Sequence, residues 1–442
     1  MIMLYTDVIE YIEKRIKKDN LKSGCKLPSV RCICNELKCS KETVLHAYHS
    51  LEQEHRIYIL PKSGYYLLVE KREEKKEKQL LDFKIVNPDE RMIPYREFQH
   101  CVNQAVENYR KELFMYGETG GIASLREVLK KHLEGKQIFT SMEQIFVTSG
   151  AQQALYILFQ MTYPNKRKKI LIEQPTYGLV NRMMEDRENQ LAFINRTSQG
   201  INMDELESIF RTNEISFFYC IPRNHNPLGT NLTNEQKQGI VKLANKYNVY
   251  VIEDDYLADM NGEKNDLPMH YYDTEGKVIY VKSFAKAFLP GIRLGIAVLP
   301  RDCCESFYLV KRNMDLNTSQ LDQAALEVYI KSGMYEKHIQ KMRNTYRKKV
   351  TWLKQFLYSI EKPNIQVIVD ESGFFIWIGL GGLIEEEVLV ERLKKKGILV
   401  AEGKSFYYMK PTKENGIRLC IAKYEIEEVC RGLQSIFDEI GI

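Results

Sequence analysis

The sequence predicts two unequal domains: a small α+β module of three helices and a hairpin, then a large α/β domain with a mostly parallel sheet and a smaller α+β part at its C-terminal end. Three observations carry this prediction. At 442 residues with 44% hydrophobic content, the chain is longer than the roughly 250–300 residues at which single cores stop growing. Within residues 1–70 the apolar positions recur first at helical and then at strand spacing, whereas beyond residue 80 strand-length apolar runs alternate with amphipathic helices. Between these regions, Glu70 to Gln79 has no apolar residue and mixes both charges, so it cannot join a core. The domains are therefore set at 1–70 and 81–442, joined by a charged linker over 71–80. Its Glu/Lys composition suits coil or a solvated helix.

The first helix is marked by Tyr5, Val8, Ile9, Ile12 and Ile16 on one face, with Glu10, Glu13, Lys14 and Lys17 on the other. A second, short helix starts at Ser29, which can cap it, and buries Val30, Ile33 and Leu37. Lys38-Cys39 makes a turn. Ser40 then caps a third helix that buries Val44, Ala47, Tyr48 and Leu51 and leaves Lys41, Glu42, Thr43 and His46 at its exposed start. Arg56–Leu60 and Tyr65–Val69 read as strands around Pro61-Lys62-Ser63-Gly64, a hairpin with a basic tip.

In the large domain the strand runs are Ile170–Ile172, Ser216–Ile221, Val249–Ile252, Val278–Val281 and Leu294–Leu299. Sites in such sheets lie beyond the carboxyl ends of strands. After Val278–Val281 comes a loop with Ser283, Lys286 and Arg293: an amine between a hydroxyl and a guanidinium suits a Schiff base to a phosphorylated aldehyde. The plain alternative is a solvated basic loop. After Val249–Ile252 comes Glu253-Asp254-Asp255-Tyr256, where a carboxylate can keep a pyridine nitrogen protonated and a phenol can hydrogen-bond the ring oxygen, although acidic residues after a strand are common. Thr148-Ser149-Gly150-Ala151-Gln152 opens a helix, which presents free N–H groups to a phosphate. Tyr177, after another strand, can stack on a flat ring or serve as core. Asn226, in His225-Asn226-Pro227-Leu228-Gly229, is a turn residue free to donate.

Composition excludes several classes. The start Met1-Ile2-Met3-Leu4 runs straight into Thr6-Asp7 and no apolar stretch could span a bilayer, which predicts a cytoplasmic protein without a membrane partner. Ten cysteines in so long a chain do not form a disulfide scaffold and imply a reducing compartment. Cys25, Cys32, Cys34 and Cys39 lack the paired spacing of a zinc site, so no metal is expected. Nearly all of the net charge of +5 lies in residues 1–80, a polarity that suits nucleic acid but is more often a solvated face.

Leu27-Pro28-Ser29-Val30-Arg31, Ser40-Lys41-Glu42-Thr43-Val44, Ala47-Tyr48 and Ser63-Gly64-Tyr65, in this order over residues 4–69, resemble the GntR family of winged helix-turn-helix regulators. The resemblance implies double-stranded DNA as a partner, contacted by Arg31, Lys41, Thr43, Lys62, Ser63 and Gly64. Lys41 stands where arginine is usual, His55 where glycine is, and Lys62 at the first wing glycine. Lysine lacks the fork that arginine offers guanine, which assigns Lys41 to phosphate.

From Leu81 onward, Ser-x-x-Lys, Asp-x-Tyr, Asn-Pro-x-Gly and Ser-Gly-Ala together resemble fold-type-I pyridoxal-phosphate enzymes, specifically the aminotransferase-like domain of MocR-type regulators within GntR. The resemblance implies Lys286 as the Schiff-base lysine, Asp254 on the pyridine nitrogen, Tyr256 and Asn226 on the ring oxygen, and Tyr177 stacked on the ring. It places Gly150, Ala151, Gln152, Ser283 and Arg293 on the phosphate. Tyr116 matches a residue that reaches the other subunit's phosphate, hence a homodimer. Arg418 matches the arginine that grips a ligand α-carboxylate, with Cys420 where glycine is common. Two functions fit: a regulator sensing pyridoxal phosphate or its adduct with an amino acid or amine, and an aminotransferase carrying a DNA-binding appendage. The fused Leu27–Gly64 module favours the regulator.

Overall fold

The computed structural model describes residues 4–54, 56–61, 63–68, 80–261, 266–360, 365–408 and 416–441. The chain divides into two compact units, Met1–Lys78 and Gln79–Ile442. All but Leu80 of the expected linker lies outside the described residues.

In the small unit, helices α1 (Tyr5–Lys18), α2 (Val30–Leu37) and α3 (Lys41–Gln53) precede strands β1 (Ile57–Leu60) and β2 (Gly64–Leu67). Both expected caps form: the Ser29 hydroxyl accepts from the Cys32 amide at 3.2 Å and the Ser40 hydroxyl from the Thr43 amide at 3.1 Å. Lys38 turns the chain between α2 and α3 in the left-handed region, at φ 51°. Val8, Ile12, Ile33, Val44 and Tyr48 form the core. Tyr48 stacks on Tyr65 at 4.0 Å between centroids and donates its hydroxyl to the Pro28 carbonyl, fixing the hairpin and the α2 entry to α3. Tyr11 and Arg15 of α1 both donate to Glu36, which holds that carboxyl down at about 2.

In the large unit β3 (Leu81–Asp82) pairs in parallel with β14 (Ile398–Leu399). The main sheet takes β4 (Ile145–Thr148), β5 (Lys169–Gln174), β6 (Leu191–Thr197), β7 (Gly200–Ile201), β8 (Ile215–Cys220), β9 (Tyr250–Asp254), β10 (Val278–Ser283) and β11 (Gly295–Val298). Its order is β4-β11-β10-β9-β8-β5-β6-β7, parallel from β10 through β6, with β11 antiparallel to both neighbours and β7 antiparallel to β6. The central strands are buried on both faces, so they read as continuous apolar runs. A second sheet, β12 (Gln366–Val369), β13 (Phe375–Gly379), β15 (Ala401–Glu402) and β16 (Gly416–Cys420), runs in the order β12-β13-β16-β15 and is antiparallel throughout. Leu389 and Leu393 of the helix Glu386–Lys395, and Leu433 and Phe437 of the helix Ile426–Ile440, cover one face of it. The long helix Met334–Tyr358 contributes to the cores of both sheets. Among the described residues, no helix is long and apolar enough to cross a membrane.

Candidate cofactor site and DNA-binding module

In the small unit the expected DNA contacts fall at helix starts and at the hairpin tip. Arg31 is the second residue of α2 and Lys41 the first of α3, and both are exposed. Thr43 lies one turn into α3, with its hydroxyl 2.9 Å from that of Ser40. Ser63 is exposed and bonds the Tyr66 hydroxyl at 2.6 Å, and Gly64 opens β2 at φ 123°. Lys62 lies outside the described residues, as does His55. Cys32 donates to Glu36 while Cys34 packs on the core, so the two thiols face different ways.

In the large unit the carboxyl ends of β8, β9 and β10 and the start of the helix Ala151–Gln160 surround a cavity. Asp254, Tyr256 and Asn226 line it, as do Ser283, Lys286 and Arg293. Ala151, Gln152 and Tyr177 close it from the side of that helix. Gly150, with φ 84°, precedes the helix, and a Cβ there would meet Arg293 Nη2 at 2.9 Å. Among the described residues no side chain caps this helix start, and the Gly150 and Gln153 amides bond backbone carbonyls, which leaves the Ala151 and Gln152 amides to meet an anion beside the Ser283 hydroxyl and the Arg293 guanidinium.

Asp254 is 3% exposed, and its Oδ2 accepts from the Tyr219 hydroxyl at 2.8 Å. Its Oδ1 is buried without a partner among the described residues. Burial pushes the carboxyl up to about 7, against the Tyr219 hydrogen bond and with help from the nearby Asp255 charge. Lys286 Nζ donates to the Val86 carbonyl at 2.9 Å. Burial, reinforced by the Arg293 and Arg418 cations and opposed by Cys420, pushes its amine below the usual lysine range. Tyr177 accepts from Gln152 Nε2 at 3.2 Å, and the Tyr256 hydroxyl donates to the Asn224 carbonyl at 2.8 Å. An unpartnered buried carboxylate oxygen, an uncapped helix start crowded by Arg293 and a depressed amine together fit pyridoxal phosphate.

Arg418 is 4% exposed and lies between the Phe375 and Phe406 rings. Its Nη1 donates to Asn226 Oδ1 at 3.3 Å and its Nη2 to the Lys84 carbonyl at 2.8 Å. Tyr116 is 87% exposed and does not line the cavity of its own chain.

Several residues that shape the site carried no signal in the sequence. Tyr219 reaches Asp254 from the next strand, Val86 meets Lys286 from 200 positions away, and Leu155, Ile221 and Phe375 form apolar wall. Behind the cavity, Lys282 and Asp259, each 1% exposed, pair with one another, and the Tyr335 hydroxyl donates to the same carboxylate at 2.6 Å. That pair ties the β10 end to the turn after β9 and to the helix Met334–Tyr358. A short-range motif could not reveal it.

Fold and cavity define a fold-type-I pyridoxal-phosphate domain joined in one chain to a winged helix-turn-helix. Residues 93–436 match the aminotransferase class I and II family, and residues 4–67 match the gntR family of bacterial regulatory proteins. The HTH-type transcriptional regulator YcxD of Bacillus subtilis is 37% identical over 99% of both chains. NorG of Staphylococcus aureus, also an HTH-type transcriptional regulator, is 27% identical over 78% of this chain and 77% of its own. Among solved structures, Pyrococcus horikoshii kynurenine aminotransferase superimposes with TM-score 0.76 and 26% identity, over 82% of this chain and 91% of that one. The chain belongs to the gntR regulators of MocR type, with an aminotransferase class I and II domain. It is a DNA-binding transcription regulator whose cofactor is pyridoxal 5'-phosphate.

Proposed function

We propose that the large domain senses pyridoxal phosphate or its adduct with an amino acid or amine, and that its occupancy changes how a homodimer presents two DNA-binding modules. The observation that carries this reading is a cavity lined by Asp254, Ser283, Lys286 and Arg293 in the same chain as an apolar-cored module whose cation-bearing helix starts are exposed. When bound, pyridoxal phosphate supplies an aldehyde that bonds reversibly to primary amines. Lys286 holds that aldehyde. The Asp254 carboxylate pairs with the ring nitrogen, Tyr177 covers the ring, and Asn226 and Tyr256 face its oxygen. The helix start at Gly150-Ala151-Gln152, with Ser283 and Arg293, holds the phosphate. Arg418 receives the α-carboxylate of an incoming amino acid.

Homodimer formation is supported by the exposed run Phe114-Met115-Tyr116, whose three side chains are 72%, 68% and 87% exposed. The partner subunit's Tyr116 completes the phosphate site, and twofold symmetry suits two DNA half-sites. In the small unit, Arg31, Lys41, Thr43, Ser63 and Gly64, with Lys62, contact DNA.

Sensing requires only that a ligand bind two conformations of the dimer with different affinity. Two measurements on the same panel of amino acids and amines test the reading: operator affinity, and keto-acid production. Ligand-dependent affinity with negligible multiple turnover is expected. Steady turnover at ordinary aminotransferase rates, with DNA affinity indifferent to every ligand, supports instead an aminotransferase with a DNA-binding appendage.

A further inference from the structure

Two cations assigned to the cofactor and its ligand are both held by one short stretch of backbone. Lys286 Nζ donates to the Val86 carbonyl at 2.9 Å, and Arg418 Nη2 donates to the Lys84 carbonyl at 2.8 Å. The stretch is anchored on either side. Phe83 is buried, its amide donates to the Leu399 carbonyl at 2.8 Å, and its carbonyl accepts from the Cys420 amide at 2.8 Å. At the other end the Asp89 amide donates to the Tyr346 hydroxyl at 3.1 Å. Between these anchors Lys84 and Ile85 are exposed while Val86 forms part of the cavity wall. The stretch is thus a strap across the mouth of the site, held at its middle by the two cations.

We propose that the strap Lys84–Asn87 is a built-in competitor of the cofactor site, released when Lys286 and Arg418 take up cofactor and ligand. This rests on the sensing reading above and names the contact through which occupancy acts. A neutral carbonyl is the weaker partner: a carboxylate adds a full opposite charge and a second oxygen, which lets it bond a guanidinium in a forked geometry. An α-amino acid therefore displaces the Lys84 carbonyl from Arg418. A Lys286 committed to an aldehyde no longer has the ammonium protons that Val86 accepts. Lys84 faces solvent, so water can take over its freed carbonyl.

Lys84 supplies its own reporter, since trypsin cleaves after it only when the strap leaves the surface. The test uses the full-length protein in three states: cofactor-free, cofactor-loaded with Lys286 fixed by borohydride, and cofactor-loaded with glycine. Methylamine, which lacks the carboxylate, is the control. Fragments beginning at Ile85 are timed by mass spectrometry, and cofactor and glycine uptake are followed by absorbance. Cleavage after Lys84 is expected to rise about tenfold from the cofactor-free to the glycine-loaded state, less with methylamine, while cuts within residues 71–78 keep their rate. Arg418→Ala is expected to start fast and to gain little from glycine. Uptake of cofactor and glycine with unchanged cleavage after Lys84 overturns the strap and leaves the sensing site standing. A protein that takes up no cofactor overturns both.

Discussion

The two units put their candidate functional residues in opposite environments. In the small unit Arg31 and Lys41 stand on exposed helix starts above a core that they do not enter. In the large unit Asp254, Tyr219 and Arg418 are nearly or wholly buried, and the acidity of each is displaced by that burial. A surface that meets a polyanion works by charge in water. A cavity that holds one small molecule works by groups held away from water until the ligand arrives. The first arrangement leaves stability and binding separable; the second couples them.

The sharpest expected effect is on Lys286. Lys286→Ala should abolish the visible absorption band of the purified protein and leave no cofactor that borohydride can fix, since Lys286 is the amine placed between Ser283 and Arg293. A variant that still carries a fixable cofactor overturns the assignment.

Asp254 tests the coupling. Its carboxyl rises from 3.8 to about 7 in the fold, so the folded state holds an extra proton between those pH values. The stabilisation from that proton is fully present below about pH 4 and is lost as pH rises through about 7. In cofactor-free protein Asp254→Asn should therefore be more stable than wild type at pH 8 by an amount on the order of 2–4 kcal/mol, and nearly equal at pH 4. The same variant should bind cofactor more weakly. Urea titrations at both pH values check the first outcome, and a variant equally stable or less stable at pH 8 contradicts it.

On the exposed side Arg31→Ala and Lys41→Ala should each weaken operator binding and lower its salt slope by about one phosphate contact, with the melting temperature unchanged. Salt titrations of binding decide this, and unchanged slopes in both variants would remove these residues from the interface. The smallest effect concerns a residue that works through the backbone: Ser40→Ala should cost about 1 kcal/mol of the small unit's stability by unmaking the cap of α3, as read by denaturation followed through circular dichroism.

The same contrast decides what the sequence could reveal. Tyr5–Lys18, the Ser29 and Ser40 caps and the two hairpin strands are local, and spacing over a few residues encodes them. Four of the five parallel strands were legible as apolar runs to within a few residues; β6, whose run is broken by Asn195 and Arg196, was not, and because run length carries no direction neither was the antiparallel insertion of β11 between β4 and β10. Motifs named Asn226, Asp254, Tyr256, Ser283, Lys286 and Arg293, which the fold gathers around one cavity. The partners that set their chemistry come from far along the chain: Val86 on Lys286, Lys84 on Arg418 and Asp259 on Lys282 are long-range contacts with no periodicity to mark them.

The pair Lys282–Asp259 has a practical consequence. Mobile ions cannot enter a pocket where both partners are 1% exposed, and Arg196–Glu173, at 3.6 Å and fully buried, is equally shielded. At Arg31 and Lys41 nothing keeps ions out, and raising salt from physiological strength to 1 M shortens the reach of charge from about 8 Å to about 3 Å. Electrolyte thus acts as a selective reagent on this protein. Concentrated salt should strip it from its operator while leaving the ties behind the cofactor loops intact, so that ligand affinity measured in brine reports the large unit alone, and any difference from the value measured on DNA is the coupling free energy between ligand and operator.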